Sequence, residues 1–205
     1  MITIYGANTF NPMKVLLTAE ELGLVYQFVN IDFGKQENKT PEYLKMNPLG
    51  KVPVLDHDGQ YINESSSMCR YLANIENQRL YSSDPHIAAK IDSLVDTLTM
   101  HVGRWMGAYF WEEVIKKQYF QKDPDATVIE EAAKNLSALL PHIDTVLKDK
   151  TFLIGEDVTI ADTIGFAYFQ LQEITSLDFS QFSNITQWYN NFNQRPSVAK
   201  VNALF

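Results

Sequence analysis

The pattern of apolar residues changes near residue 80, and this change limits the possible folds strongly. Up to about residue 76, strand-type and helix-type segments follow one another in the order β, α, β, α, and then come two strands and a helix. Beyond residue 85, every periodic segment has helical spacing. We therefore predict an α/β part followed by an all-α part.

The first part contains the signals of a small mixed sheet. Residues 2–5 and 25–33 have the composition of strands, and the helix between them is predicted to have Pro12 at its first position and Gly23 just past its end. The dipeptide Asp58-Gly59 predicts a tight hairpin between two further strands, because it readily adopts positive φ. Parallel βαβ strands and an antiparallel hairpin in one sheet are typical of a thioredoxin-like arrangement.

Residues 80–85, Leu-Tyr-Ser-Ser-Asp-Pro, have the composition of a linker. We therefore predict a thioredoxin-like domain over residues 1–79 and an all-helical domain over residues 86–205. The first helix of the second domain is predicted to extend to about residue 117, with a bend at Gly103 and Gly107.

Composition narrows the classes of partner. The 205 residues include 17 Lys and Arg against 25 Asp and Glu, a formal net charge of −8, and no basic run. Nucleic acid and anionic membrane surfaces are therefore poor partners. Because we find neither a secretory signal nor an apolar stretch of about 18 residues, we expect a cytoplasmic protein with no membrane span. One cysteine and four scattered histidines predict neither a disulfide framework nor a metal site.

Three motifs together resemble the cytosolic glutathione transferase family. They are Asn47-Pro48-Leu49-Gly50-Lys51-Val52-Pro53-Val54-Leu55, Asn63-Glu64-Ser65-Ser66-Ser67 and Thr159-Ile160-Ala161-Asp162. The resemblance covers essentially the whole chain and implies a thioredoxin-like domain followed by the family's all-helical C-terminal domain. It also implies a homodimer that uses glutathione as a co-substrate and needs no other cofactor.

The resemblance implies that Val52-Pro53 forms a cis-proline turn. An X-Pro bond prefers trans by only about 0.5–1 kcal/mol, so a folded chain can hold it cis. The N–H and C=O of Val52 would then pair with the main chain of glutathione as an added strand does. As an alternative, Pro53 simply starts an edge strand. Lys51, with Asn38 or Lys39, is expected to contact the glycine carboxylate, although exposed lysines are usually only solvated.

Glu64 and Ser65 lie at the start of a predicted helix, where unpaired N–H groups and the helix dipole favour negative charge. The resemblance implies that Ser65 binds the γ-glutamyl carboxylate through its hydroxyl and N–H. Glu64 would accept a hydrogen bond from the α-ammonium group of the same ligand. As an alternative, Ser65 is a plain helix cap.

The loop over residues 7–13 has none of the Tyr, Ser or Cys side chains that most often contact the glutathione sulfur in this family. Its Thr9-x-Asn11 pattern is instead similar to bacterial nu-class enzymes and fungal Ure2-like relatives, which include glutathione-dependent disulfide reductases. We therefore expect Thr9 to donate a hydrogen bond to the thiolate and Asn11 to provide a second polar contact. Alternatively, Asn11 and Pro12 are an N-cap and first-position pair and Thr9 is solvated.

In the helical part, His101, Trp105 and Tyr109 recur at a spacing of four residues. The resemblance implies that this helix lines a pocket for the hydrophobic co-substrate, with Trp105 and Tyr109 as contacts. Packing in the core or in a dimer interface is the alternative. Thr159 and Asp162 are predicted to form a capping box, whose loss through Asp162→Ala is expected to cost about 1 kcal/mol.

These observations predict a glutathione transferase that activates the glutathione thiolate for attack on hydrophobic electrophiles. A glutathione-dependent disulfide reductase or peroxidase is an alternative, since thiol–disulfide exchange needs little more than an activated, accessible thiolate. A non-catalytic regulator or ligand carrier of the same fold is a third candidate. Cys69 is expected to be a small buried hydrophobe rather than a nucleophile.

Overall fold

A computed structural model describes all 205 residues, which form two compact units. The first comprises residues 1–83 together with residues 195–205, and the second comprises residues 84–194. The boundary after residue 83 lies within the predicted linker at residues 80–85, but the predicted extent of the second domain to residue 205 is wrong, because residues 195–205 belong to the first unit. There the Arg195 guanidinium donates from Nε and Nη2 to the two carboxylate oxygens of Glu21, each at 2.7 Å. Helical periodicity alone carries no information about such a partner.

The first unit contains a four-stranded mixed sheet of order β2-β1-β3-β4. Its strands are β1 (Ile2–Gly6), β2 (Tyr26–Asn30), β3 (Val54–His57) and β4 (Gln60–Ile62). Its helices are α1 (Phe10–Leu22), α2 (Pro41–Met46), α3 (Ser65–Ile75) and α9 (Pro196–Asn202), with a 3-10 turn at Glu37–Lys39. Strand β1 pairs in parallel with β2, whereas β1–β3 and β3–β4 are antiparallel. The predicted thioredoxin-like arrangement is thus confirmed.

Helix α1 begins two residues earlier than the sequence predicts. Thr9 is its N-cap, with extended φ of −146° and ψ of 160°, so Pro12 occupies the third helical position rather than the first. Asn11 is consequently not the N-cap. Proline fits at the third position because N–H groups in the first turn have no intrahelical acceptor. Gly23 ends α1 in the left-handed region at φ 70°, as expected.

The second unit is entirely helical. Its α-helices are α4 (Pro85–Asp96), α5 (Gly103–Tyr109), α6 (Ala126–Val146), α7 (Ile160–Phe169) and α8 (Ser183–Asn193). Two π-helical segments, Thr97–Val102 and Phe110–Phe120, flank α5, and a 3-10 turn, Gln170–Glu173, follows α7. The predicted helix over residues 86–117 corresponds to the run from α4 to Phe120. Gly103 is needed there for close packing, because a Cβ atom would lie 2.2 Å from Cζ of Tyr168.

Asp162 forms the buried polar centre of the second unit. Its Oδ1 accepts hydrogen bonds from the Leu153 N–H at 2.8 Å and the Trp188 indole N–H at 3.0 Å. Its Oδ2 accepts from the N–H and the hydroxyl of Thr159, which confirms the predicted capping box. Burial raises the pKa of Asp162, and these four donors oppose the rise. The capping box therefore connects α7 to α8 in addition to capping α7.

No helix of the chain combines the length and the apolar character that crossing a membrane requires.

Candidate glutathione site

Three segments of the first unit meet at one end of its sheet. In the antiparallel pairs, Tyr5 at the end of β1 lies opposite Val54, and Ile62 at the end of β4 lies opposite Leu55. The start of α1, the turn before β3 and the start of α3 therefore emerge at the same end. These three segments contain six of the residues that the sequence predicts to contact glutathione: Thr9, Asn11, Val52, Pro53, Glu64 and Ser65.

The turn before β3 is held by buried side chains. The Val52-Pro53 peptide bond is cis, as the resemblance implied. The Lys51 carbonyl accepts hydrogen bonds from the Tyr43 hydroxyl and from Nδ2 of Asn47, both at 2.9 Å. The N–H and C=O of Val52 make no hydrogen bond within the chain. Their orientation is therefore determined by neighbouring groups while their own bonding capacity is left for another molecule.

Glu64 is the N-cap residue of α3 and adopts φ 66° and ψ 112°. Such a conformation costs a non-glycine residue on the order of 1–3 kcal/mol and persists only where the surrounding structure imposes it. Its exposed carboxylate makes no hydrogen bond or ion pair within the chain and does not cap the helix. The strained residue therefore presents an acceptor outward at the start of α3.

Ser65 is the first residue of α3 and is 9% exposed. The alternative that it simply caps this helix is not what the structure shows, because the N-cap position belongs to Glu64. The Ser65 hydroxyl instead lies 3.4 Å from Oδ1 of Asn11, across the α1–α3 contact. Ser65 therefore links the start of α3 to the first turn of α1.

The first turn of α1 places Thr9 and Asn11 at the same end of the sheet. The half-buried Thr9 hydroxyl caps no N–H group and makes no hydrogen bond within the chain. Asn11 accepts a hydrogen bond at Oδ1 from Nζ of Lys14, at 2.7 Å. The structure thus brings together the two side chains predicted to approach the sulfur, and each retains a hydrogen-bond donor.

Sequence reasoning missed Lys14. The side chain is 1% exposed, and its Nζ lies 5.4 Å from the centroid of the Phe10 ring. Burial lowers the pKa of Lys14 from its ordinary 10.5 to about 7, against the opposing influence of Cys69 and Glu64. One signal was available, since the lysine interrupts the apolar run Met13-Lys14-Val15-Leu16-Leu17.

Cys69 is fully buried in α3, and its Sγ donates a hydrogen bond to the Lys14 carbonyl at 3.5 Å. Burial raises the pKa of its thiol to about 11. The thiol is therefore protonated at neutral pH and shielded from solvent, in keeping with the predicted hydrophobic role.

The residues predicted for the glycine carboxylate lie on either side of α2, with Asn38 in the 3-10 turn before the helix and Lys51 in the segment after it. Lys51 is exposed, and its ammonium has no hydrogen bond or ion pair within the chain. One N–H of Asn38 Nδ2 is engaged by the Gly50 carbonyl at 2.7 Å, where Gly50 has φ 60°. Asn38 therefore stabilises the loop, whereas Lys51 keeps a free cation.

Trp105 and Tyr109, the predicted co-substrate contacts, lie on α5 of the second unit. Tyr109 is only 7% exposed, as expected for a core residue, and burial raises its pKa. Trp105 is half-buried, with the Arg104 guanidinium 4.8 Å from the centroid of its ring. Trp105 thus has more surface available to a small molecule than Tyr109.

Two models of one known protein family match this chain. The model described as "Glutathione S-transferase, N-terminal domain" matches residues 11–75, and the model described as "Glutathione S-transferase, C-terminal domain" matches residues 100–196. Together these ranges cover most of the chain, which belongs to the glutathione S-transferase family. The predicted family is confirmed.

Individual relatives are similar over nearly the whole chain. The probable glutathione S-transferase GSTF1 of Oryza sativa subsp. japonica is 29% identical over 99% of this chain and 96% of its own length. Elongation factor 1-gamma 3 of the same plant is 30% identical over 96% of this chain, which spans 47% of that longer protein. Sequence similarity therefore extends to proteins that are not named transferases.

Solved structures give the same fold. Glutathione transferase F2 from Populus trichocarpa has a TM-score of 0.91 and 26% identity, covering 100% of this chain and 98% of its own. Glutathione transferase URE2P6 from Phanerochaete chrysosporium, in complex with oxidized glutathione, has a TM-score of 0.87 and 27% identity, covering 99% and 95%. The predicted two-part fold is confirmed by these neighbours.

Proposed function

We propose that the protein is a glutathione transferase that binds glutathione at this end of the sheet and activates its thiolate for attack on hydrophobic electrophiles. The observation that carries the proposal is a set of polar groups that meet there without partners in the chain. They are the N–H and C=O of Val52, the Thr9 hydroxyl and the Glu64 carboxylate. A small peptide with a main chain, charged ends and a thiol complements all of them.

Each group has a role in this proposal. The Val52 main chain pairs with the cysteinyl residue as an added strand does. Ser65, with the first N–H groups of α3, receives the γ-glutamyl carboxylate, and Glu64 accepts from the α-ammonium. Lys51 attracts the glycine carboxylate, and Asn38 supports the loop beside it.

Thr9 and Asn11 are the proposed catalytic residues, and the free energy that they must supply is modest. Lowering a thiol pKa from about 8.5 to about 6.5 requires about 2.7 kcal/mol of preference for the anion. The N-terminus of α1 contributes about 0.3–1 kcal/mol, or up to ~2 when partly buried. One hydrogen bond to a charged group contributes about 1.5–3 kcal/mol. A hydroxyl and a helix end are therefore sufficient, and no strong base is needed.

The electrophile is proposed to contact Trp105 and Tyr109 of α5, chiefly through the more exposed Trp105 ring. We further propose a homodimer that acts in the cytoplasm, as the resemblance implies. No membrane or nucleic acid is needed for the proposed reaction.

Two other functions remain as candidates, each with its own support. Reduction of disulfides or peroxides is favoured by the Thr9-x-Asn11 loop and by the similarity to URE2P6, which was solved with oxidized glutathione. A non-catalytic regulator or carrier is favoured by the similarity to elongation factor 1-gamma. The binding groups without partners favour the enzymes over the scaffold.

The test begins with calorimetric titration of the protein with glutathione, for which we expect a dissociation constant in the millimolar range or lower. Turnover is then compared with an aromatic halide and with hydroxyethyl disulfide, which separates conjugation from disulfide reduction. Thr9→Ala is expected to lower the favoured activity at least tenfold, since a hydrogen bond to the thiolate is lost. Thr127→Ala, at an exposed position of α6, is the matched control. Undiminished activity of Thr9→Ala would remove the catalytic assignment, and no glutathione binding would favour the scaffold.

A further inference from the structure

Lys14 carries a charged group into the interior of the first unit, directly behind the proposed sulfur contacts. It is 1% exposed, on the side of α1 that packs against α3. Removing an ammonium group from water costs several kcal/mol even after the surroundings relax. An apolar side chain of similar length would fill the same volume without this cost. Packing alone therefore does not explain why a lysine occupies this position.

The Lys14 ammonium determines which end of the Asn11 amide faces inward. In its protonated form Lys14 has three donors and no acceptor, so the Asn11 atom 2.7 Å from Nζ is then the carbonyl oxygen Oδ1. The Ser65 hydroxyl approaches the same oxygen at 3.4 Å. Both inward contacts thus engage Oδ1, while the Nδ2 group makes no hydrogen bond within the chain. Asn11 is held in the orientation that leaves a donor free.

We propose that Lys14 is a positioning residue that fixes Asn11 as a hydrogen-bond donor to the glutathione sulfur and adds a buried positive charge that favours the thiolate. The inference rests on the proposed function and extends it to a residue that does not itself touch the substrate. Without the ammonium, the amide can turn and offer its oxygen, which repels a thiolate. Lys14 thereby links the fold of α1 to the ionisation of the bound thiol.

The charges around Lys14 are compatible with this role. The ionisable groups that act on it, Cys69 and Glu64, both belong to the α3 segment. On the C-terminal helix α9 and the residue before it, Lys200 and Arg195 are paired with Glu20 and Glu21, at the other end of α1. On β1 the ionisable side chain is Tyr5, whose pKa is raised by burial.

At neutral pH the site can respond to its ligand. A pKa of about 7 leaves Lys14 partly protonated before the ligand binds. A thiolate nearby favours the ammonium form, and the ammonium favours the thiolate by the same free energy. Binding of ionised glutathione is therefore expected to increase the protonation of Lys14.

The test is an ultraviolet titration of the bound thiol in the intact protein and in Lys14→Met and Lys14→Gln variants. For Lys14→Met we expect the midpoint of thiol ionisation to rise by about one pH unit or more. At a pH below both midpoints, this rise corresponds to about tenfold less thiolate than in the unchanged protein. Lys14→Gln can still donate to Asn11 without a charge, so its midpoint is expected to lie between the other two. Lys45→Met, at an exposed position of α2, is expected to titrate as the unchanged protein does.

Binding of S-methylglutathione, which has no ionisable thiol, separates this inference from the proposed function. We expect its affinity to change less than about threefold in both Lys14 variants. Should the unchanged protein bind neither glutathione nor its methyl derivative, the proposed function itself fails. Should glutathione bind while both variants ionise it as readily as the unchanged protein, the role of Lys14 is overturned and the proposed function stands. If Lys14→Met does not fold, Lys14→Gln alone decides by the same criterion.

Discussion

Lys14 in the first unit and Asp162 in the second are both buried charged side chains near the start of a helix, but their surroundings differ. Four donors from Leu153, Thr159 and Trp188 converge on the Asp162 carboxylate. Beside Lys14, Asn11 retains an amide donor without a partner in the chain. A buried charge whose neighbouring donors all bind it, as at Asp162, contributes to the stability of the fold. A buried charge whose neighbours retain bonding capacity is suited to act on a ligand.

The largest expected effect is a loss of folding stability when Asp162 is replaced. Asp162→Ala leaves the Trp188 indole, the Leu153 N–H and the Thr159 N–H without their acceptor, at about 1–3 kcal/mol for each buried donor. The free energy of unfolding should fall by about 3–5 kcal/mol, more than the ~1 kcal/mol expected from loss of a cap alone. Urea unfolding measures this change. A loss near 1 kcal/mol would show that Asp162 is only a cap, and Asp162→Asn provides a near-isosteric control.

A second prediction concerns pH. The folded-state pKa of Lys14 is about 7 and its ordinary value is 10.5, so between these values the unfolded chain binds more protons. The free energy of unfolding therefore rises with pH in this window, by up to about 1.4 kcal/mol per pH unit, because folding requires Lys14 to lose its proton and this loss becomes more favourable as the pH increases. Urea unfolding at pH 7 and at pH 9 should show this increase in the unchanged protein and not in Lys14→Met. Parallel curves for the two proteins would contradict the lowered pKa.

A third prediction separates binding from stability. Glu64→Gln removes the charge that is proposed to receive the α-ammonium of glutathione, and a charged hydrogen bond contributes about 1.5–3 kcal/mol. Calorimetry should show glutathione affinity reduced about tenfold or more. The unfolding free energy should change by less than about 0.5 kcal/mol, since the exposed carboxylate has no partner in the chain. A large loss of stability with unchanged affinity would reverse the role given to Glu64.

The smallest effect is expected where the charge is exposed. Lys200 pairs with Glu20 at 2.9 Å, but its side chain is 65% exposed. Water and salt screen such a pair, so Lys200→Ala should lower the unfolding free energy by less than about 1 kcal/mol. Thermal unfolding at low and high salt would detect a larger value. A larger value would mean that burial is a poor guide to the energy of charges in this protein.

Local sequence signals located much of the fold because they act within a few residues. The Asp58-Gly59 hairpin is confirmed, with both residues at positive φ, and the Thr159–Asp162 capping box is present. The sequence pattern predicts the start of α1 two residues too late, because proline is tolerated at any of the first helical positions. For the candidate site, the motifs brought out Thr9, Asn11, Val52, Glu64 and Ser65, whereas Lys14 was overlooked.

Short-range periodicity and turn chemistry predicted the mixed sheet and the helical second part, because these properties depend on neighbours along the chain, and the resemblance of three short motifs indicated the family. Tertiary structure alone decided that the segment containing Arg195 joins Glu21 in the first unit, that Asp162 gathers four donors, and that Lys14 is buried behind Asn11. Each of these depends on groups brought together from distant parts of the chain, or on burial that no local pattern specifies. The physical reason is that the cost of burying a charge, and the partners that offset it, exist only once the helices and strands have packed.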